Sequence, residues 1–136
     1  EFYASSDYDS DFILNYLLYF IIMTLDRLLD HSLSKQNVEE TFPFGPDVLV
    51  LKVNGKVFLL IPLNVHPIQF NAKCDPERAI LLREEHASII PGYHMNKKHW
   101  NTIILDGTIP SSLIFELVDH SYDLVSDSAS KKKSKI

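Results

Sequence analysis

The chain has a single cysteine, Cys74, so no intrachain disulfide is available and a reducing cytoplasm is the expected location. Glycine is nearly as scarce. Gly45 stands in Phe-Gly-Pro, Gly55 in Asn-Gly, Gly92 in Pro-Gly and Gly107 in Asp-Gly, and each reads as a turn. None is left for a Gly-rich phosphate cradle, which excludes P-loop and dinucleotide-binding chemistry. Basic residues are outnumbered: 13 Lys and Arg face 18 Asp and Glu, a net charge of −5. That excludes a wholly basic nucleic-acid binder, though not a local basic patch. No apolar run reaches the ~20 residues that a membrane span needs. The run from Phe12 to Met23 is interrupted at Asn15 and preceded by Asp7, Asp9 and Asp11, so it fits neither a span nor a secretory signal. What is present is ordinary: 136 residues, 46% of them hydrophobic, suffice for one domain with one core.

Two readings of the N-terminal run stand side by side. In one, Met23 is the natural start and residues 1–22 are a vector-derived or upstream-translated leader, since the opening Glu-Phe is what a common cloning site encodes. In the other, the run packs on the domain as a helix or strand. The first is preferred. From Thr24 onward, Leu25, Leu28, Leu29 and Ser32 recur at helical spacing and predict a short amphipathic helix. A connecting loop then runs from Asn37 through Pro43 and Pro46.

Val48 to Val53, Asn54-Gly55 and Lys56 to Ile61 predict a hairpin, because Asn-Gly suits a two-residue turn with positive φ at both positions. The expected register sets Val53 against Lys56, Leu51 against Phe58 and Val50 against Leu59. Both faces of this ribbon are apolar, so one meets helices and the other needs a cover or a partner. A third strand is expected over Ile68 to Lys73. Asp75 then caps a helix that begins with Pro76 and Glu77 and runs to about His86. A loop from Pro91 to His99 leads to a strand from Trp100 to Asp106, in which Trp100, Thr102 and Ile104 share a face suited to the core. The last helix is expected from Ser111 to Val125, with Leu113, Leu117, His120 and Leu124 on one stripe. Residues 127–136, with Lys131, Lys132, Lys133 and Lys135, read as a disordered tail. The fold class that follows is α+β, an antiparallel β-sheet with helices packed on one face.

Four stretches then carry a family resemblance: Thr41-Phe-Pro-Phe-Gly-Pro-Asp47, Asn71-Ala-Lys-Cys-Asp-Pro-Glu-Arg-Ala79, Pro91-Gly-Tyr-His-Met-Asn-Lys-Lys-His-Trp-Asn101 with Leu105-Asp-Gly107 after it, and Asp119-His-Ser-Tyr122. In order and spacing they resemble the MmcQ/YjbR family over roughly residues 23–126. The resemblance implies a CyaY-like, or frataxin-like, α/β sandwich of double-wing type. It also implies DNA binding, on the analogy of the sheet to a double-wing motif.

The residues offer a surface for that role. Lys97, Lys98 and His99, with His94, Asn96 and Asn101, place phosphate-seeking donors beside Trp100, and Lys73, Arg78 and Arg83 extend the patch if the second helix packs nearby. In the alternative, Lys97 and Lys98 form a solvated turn while Trp100 and Tyr93 fill the core. Frataxin-like analogy raises iron, but Asp26, Asp30, Glu39, Glu40 and Asp47 are spread over helix and loop and read as solvated surface. There is no His-Glu-x-x-His or Cys-x-x-Cys, so neither metal nor cofactor is expected. No nucleophile elbow occurs. Cys74 reads as a buried thiol whose place before a helix lowers its pKa, and His120 as a hydrogen-bonded core histidine, so no enzyme is expected. The competing reading is a non-catalytic module in which the apolar second face of the hairpin takes a small ligand, a protein partner or a second copy of the chain.

Overall fold

The structure, a computed structural model, describes residues 9–134, excluding the side chains of 18–24 and 128–134. Its elements are α1 (Ser10–Leu33), β1 (Val38–Thr41), β2 (Val48–Val53), β3 (Lys56–Pro62), β4 (Gln69–Lys73), α2 (Pro76–Glu85), β5 (Ile89–Pro91), β6 (Trp100–Ile104) and α3 (Ser111–Ser134). The six strands form one antiparallel sheet in the order β1-β2-β3-β4-β6-β5. The helices cover one face, as the sequence predicts.

The hairpin turn has the required geometry, with φ of 52° at Asn54 and 78° at Gly55. Its register differs from the expected one beyond the tip. Val53 pairs with Lys56, but Leu51 pairs with Leu59 and Val50 with Leu60, because a bulge interrupts the ladder between Leu51 and Lys52. The extra residue is Phe58. A bulge breaks the strict alternation of side chains, so Phe58, Leu59 and Ile61 all reach the helix-side core while Val57 and Leu60 point to the open side.

The core lies between the sheet and the helices. Leu51, Phe58, Phe70 and Ile103 from the strands meet Leu28 of α1, Ala79 and Leu82 of α2, and Leu117, Val118 and Val125 of α3. Buried Ser121 fixes α3 across two strands: its hydroxyl donates to Phe58 O at 2.6 Å and accepts from Lys73 N at 2.9 Å. α1 docks on α3 through Leu28 and through Asp119, which accepts from His31 Nε2 at 2.7 Å and Lys35 Nζ at 2.5 Å.

Two helix boundaries and two strands differ from the sequence reading. The first helix begins at Ser10 and not at Thr24. Asp9 caps it, its side chain accepting from Phe12 N at 2.8 Å, and no Gly or Pro interrupts the run to Leu33. The apolar run is therefore continuous with the domain's first helix, and Phe12, Ile13, Leu14, Tyr16 and Leu17 are exposed on it; residues 1–8 of the expected leader lie outside the described residues. The last helix runs past Val125 to Ser134, again with no Gly or Pro to stop it, so helical backbone occupies most of the stretch read as a disordered tail. The lysine side chains of that stretch lie outside the description. Two strands had no sequence signal: β1 carries Glu39 and Glu40, poor strand formers, and β5 is three residues ending in Pro91. Both are edge strands, held by their neighbours' ladders. Among the described residues no helix is long and apolar enough to cross a membrane.

Candidate functional site

Alternation along the strands sends one set of side chains to the helices and the other to the opposite face, which no helix covers among the described residues. On that open face Val48, Val57 and Leu60 of the hairpin lie beside Gln69 and Asn71 of β4 and Ile90 of β5. Loops raise walls around this floor. Phe44, from the β1–β2 connection, stands on one side, and Tyr93, His94 and Met95, from the β5–β6 loop, on the other. Together they enclose an open groove of about 740 Å³.

The β5–β6 loop is shaped by close backbone packing. Gly92 N–H donates to Trp100 O at 2.8 Å, and a Cβ at position 92 would lie 2.8 Å from Trp100 Cβ, so the chain needs a glycine to return this tightly. Met95 N–H then donates to Gly92 O, and His94 adopts a left-handed φ of 59°. The loop is pinned to the sheet where Tyr93 N–H donates to Thr102 Oγ1 at 3.0 Å. Thr102 in turn donates to Asn71 Oδ1. Tyr93, which only the alternative reading placed in the core, is 63% exposed on the groove's rim, its ring centre 4.0 Å from that of His94.

The residues nominated for phosphate contact are not presented together. Arg78, on α2, is paired with Glu116 of α3. Arg83 lies under the β5–β6 loop, donating to Lys97 O and, through Nε, to Asn101 Oδ1 at 2.7 Å. Lys97 Nζ donates to Gly92 O at 3.2 Å. Asn101 is 2% exposed and cannot donate to a partner: the alternation that puts Trp100 on the open face puts Asn101 on the helix side with Ile103. Its Nδ2 is the buried side-chain atom without a hydrogen-bond partner among the described residues. Asn96 Oδ1 accepts from Lys98 N and serves the turn, and His99 O accepts from Cys74 N. Lys73 and Lys98 alone among the nominated cations have no partner for their ammonium groups within the described residues. Trp100 is half-buried on the open face, paired with Lys73, and not between sheet and helices.

Two further expectations concern titration. Cys74 is 3% exposed, and burial pushes its thiol up despite nearby Arg78, so it is no activated nucleophile. His120 Nε2 accepts from Asp75 N–H at 3.0 Å, the hydrogen-bonded histidine that was expected. Burial, helped by the Arg78 charge, depresses its pKa below 6.5. At the far end of the sheet, the Ser88 hydroxyl and then Thr108 hold exposed Asp106 down to about 2. For Asp119, burial opposes ionisation, but hydrogen bonds from Lys35 and His31 outweigh it and lower its pKa. The shifts of His120, Asp106 and Asp119 favour the less protonated form in the folded state, so acid destabilises the fold. Thermal unfolding across a pH series should be level from pH 8 to 7. The His120 contribution is lost as pH falls below 6.5, and those of Asp106 and Asp119 as it falls below 3.8. His120→Gln should abolish only the first step.

Among the described residues no three His, Cys, Asp or Glu side chains are grouped to hold a metal ion. The YjbR family model matches residues 33–124. The chain belongs to the YjbR family. It is 39% identical over 99 residues to YbdF of Escherichia coli O157:H7, covering 72% of this chain and 80% of that protein. It is 32% identical over 114 residues to YjbR of Escherichia coli K12, covering 84% and 97%. The crystal structure of a Deinococcus radiodurans protein with a DUF419 domain is similar with a TM-score of 0.72 and 42% identity, over 75% of this chain and 78% of that one. The matched residues hold the whole sheet, so the groove is built from family sequence. The signal in the sequence was the hairpin that is apolar on both faces; Gln69 and Asn71 carried none, since their depth in the groove depends on β4 lying beside β3.

Proposed function

We propose that this YjbR-family protein is a non-catalytic module that binds a small, mainly apolar molecule in the groove on the open face of its sheet. One observation carries this reading: a cavity of about 740 Å³ lined by aliphatic and aromatic side chains, with amides of Gln69 and Asn71 on its floor. That volume is typical of small-molecule sites, as is the combination of an apolar lining with few polar groups. An apolar face left open in this way otherwise favours aggregation. DNA binding, the other expectation, has less support: Arg78, Arg83, Lys97 and Asn101 are engaged within the domain. Contacts from Lys73 and Lys98 alone amount to a salt slope of only about −2.

The test is titration with the neutral fluorophore N-phenyl-1-naphthylamine. Wild type should bind one equivalent with a blue shift. Ile90→Trp, which fills the groove from an edge position that is 38% exposed, should weaken binding at least tenfold while leaving the unfolding midpoint nearly unchanged. Equal binding by the two proteins would sink the reading.

A further inference from the structure

Resting on the groove reading, we infer that the occupant carries a carboxylate, seated over Asn71 with its apolar body along the hairpin. Asn71 is 7% exposed, yet only half of its amide is used. Tyr93 N–H occupies a lone pair of Thr102 Oγ1, and the Thr102 hydroxyl proton goes to Asn71 Oδ1. The amide is thereby oriented, with Nδ2 left toward the groove and without a partner among the described residues. A donor held in one orientation on the groove floor, accessible from the groove and unmatched by the protein, selects an acceptor on the ligand.

The rest of the lining has the same polarity. Gln69 brings a second amide with no partner among the described residues, and His94 a ring at the rim. Among the described residues no Asp or Glu lines the groove, so no carboxylate there repels an anion. Hydrogen bonds to an ionised acceptor are roughly twice as strong as those to a neutral one, and the groove's open side lets the carboxylate keep part of its hydration. The left-handed backbone of His94, 59° in φ, is disfavoured for a residue with a Cβ. It is enforced by the Tyr93–Thr102 and Met95–Gly92 bonds on either side, so the rim is held in place before any ligand arrives.

Calorimetric titration with decanoate and with decanol separates the two levels of inference. The Asn71→Asp variant keeps an acceptor for Thr102 but replaces the donor with a negative charge. It should lose at least tenfold in decanoate affinity while binding decanol within twofold of wild type. Asn71→Leu, which removes the donor without adding charge, should show about a tenfold loss for decanoate alone and covers the case in which the acidic variant does not fold. If both ligands weaken equally in these variants, or wild type binds decanol but not decanoate, the carboxylate assignment is wrong and the groove reading survives. If neither decanoate, decanol nor N-phenyl-1-naphthylamine binds wild type, both fall.

Discussion

Phe70→Ala is expected to destabilise the protein by about 3–5 kcal/mol, the range for removing a fully enclosed aromatic ring. Phe70 is completely buried on the helix side of β4, paired with Ile103 of β6, which is itself paired with Ile89 of β5. Hydrogen-bonded strands on both sides of β4 limit how far the site can collapse, so the cavity persists and the cost sits high in its range. Folded domains of this kind are stable by only about 5–15 kcal/mol, so the loss is a large share of the total. Urea unfolding should show a lowered midpoint with an unchanged slope. Phe44→Ala provides the contrast. Phe44 is 71% exposed on the groove wall, and its loss should change stability by no more than about 0.5 kcal/mol. Similar costs for the two would mean that the sidedness of the sheet described above is wrong.

Gly92→Val should both destabilise the domain and abolish binding in the groove. The first carbon of any side chain at position 92 lies 2.8 Å from Trp100 Cβ and 3.0 Å from Trp100 O. Backbone cannot yield there without giving up the Gly92–Trp100 hydrogen bond that ends the β5–β6 ladder. Overpacking of this sort costs about 1–3 kcal/mol. The functional effect is larger, because the displaced segment carries Tyr93, His94 and Met95, the whole of one groove wall. Fluorophore binding should fall by more than tenfold at temperatures where circular dichroism still shows a folded protein. Retention of full affinity would mean that this loop is not part of the site.

Much of this was legible in the chain because it depends on neighbours in sequence. Asn54-Gly55 dictates a tight hairpin, Asp75-Pro76 a helix start, and the spacing of Leu113, Leu117 and Leu124 a helix face, since each acts through contacts a few residues away. The register of that hairpin was not legible. The bulge at Leu51–Lys52 leaves Phe58 as the extra residue, and it packs edge-on to Tyr122 of α3, at 5.4 Å between ring centres, a contact far apart in the chain. The nominated phosphate-contact residues are kept apart for a related reason. Lys97, Arg83 and Asn101 look free in sequence, but the return of the loop over α2 turns them on one another.

Local chemistry thus determined the antiparallel hairpin, the start of α2 and the apolar face of α3, motif order carried the resemblance to the family, and the ribbon was flagged with one apolar face too many. Which face would lie open, and what would line it, was decided only when β4 and β6 came to rest beside the hairpin. That arrangement sets Asn71, Thr102 and Tyr93 in one hydrogen-bonded line across three segments far apart in the chain. A groove is a property of surfaces brought together by packing, and no residue in it carries the information singly.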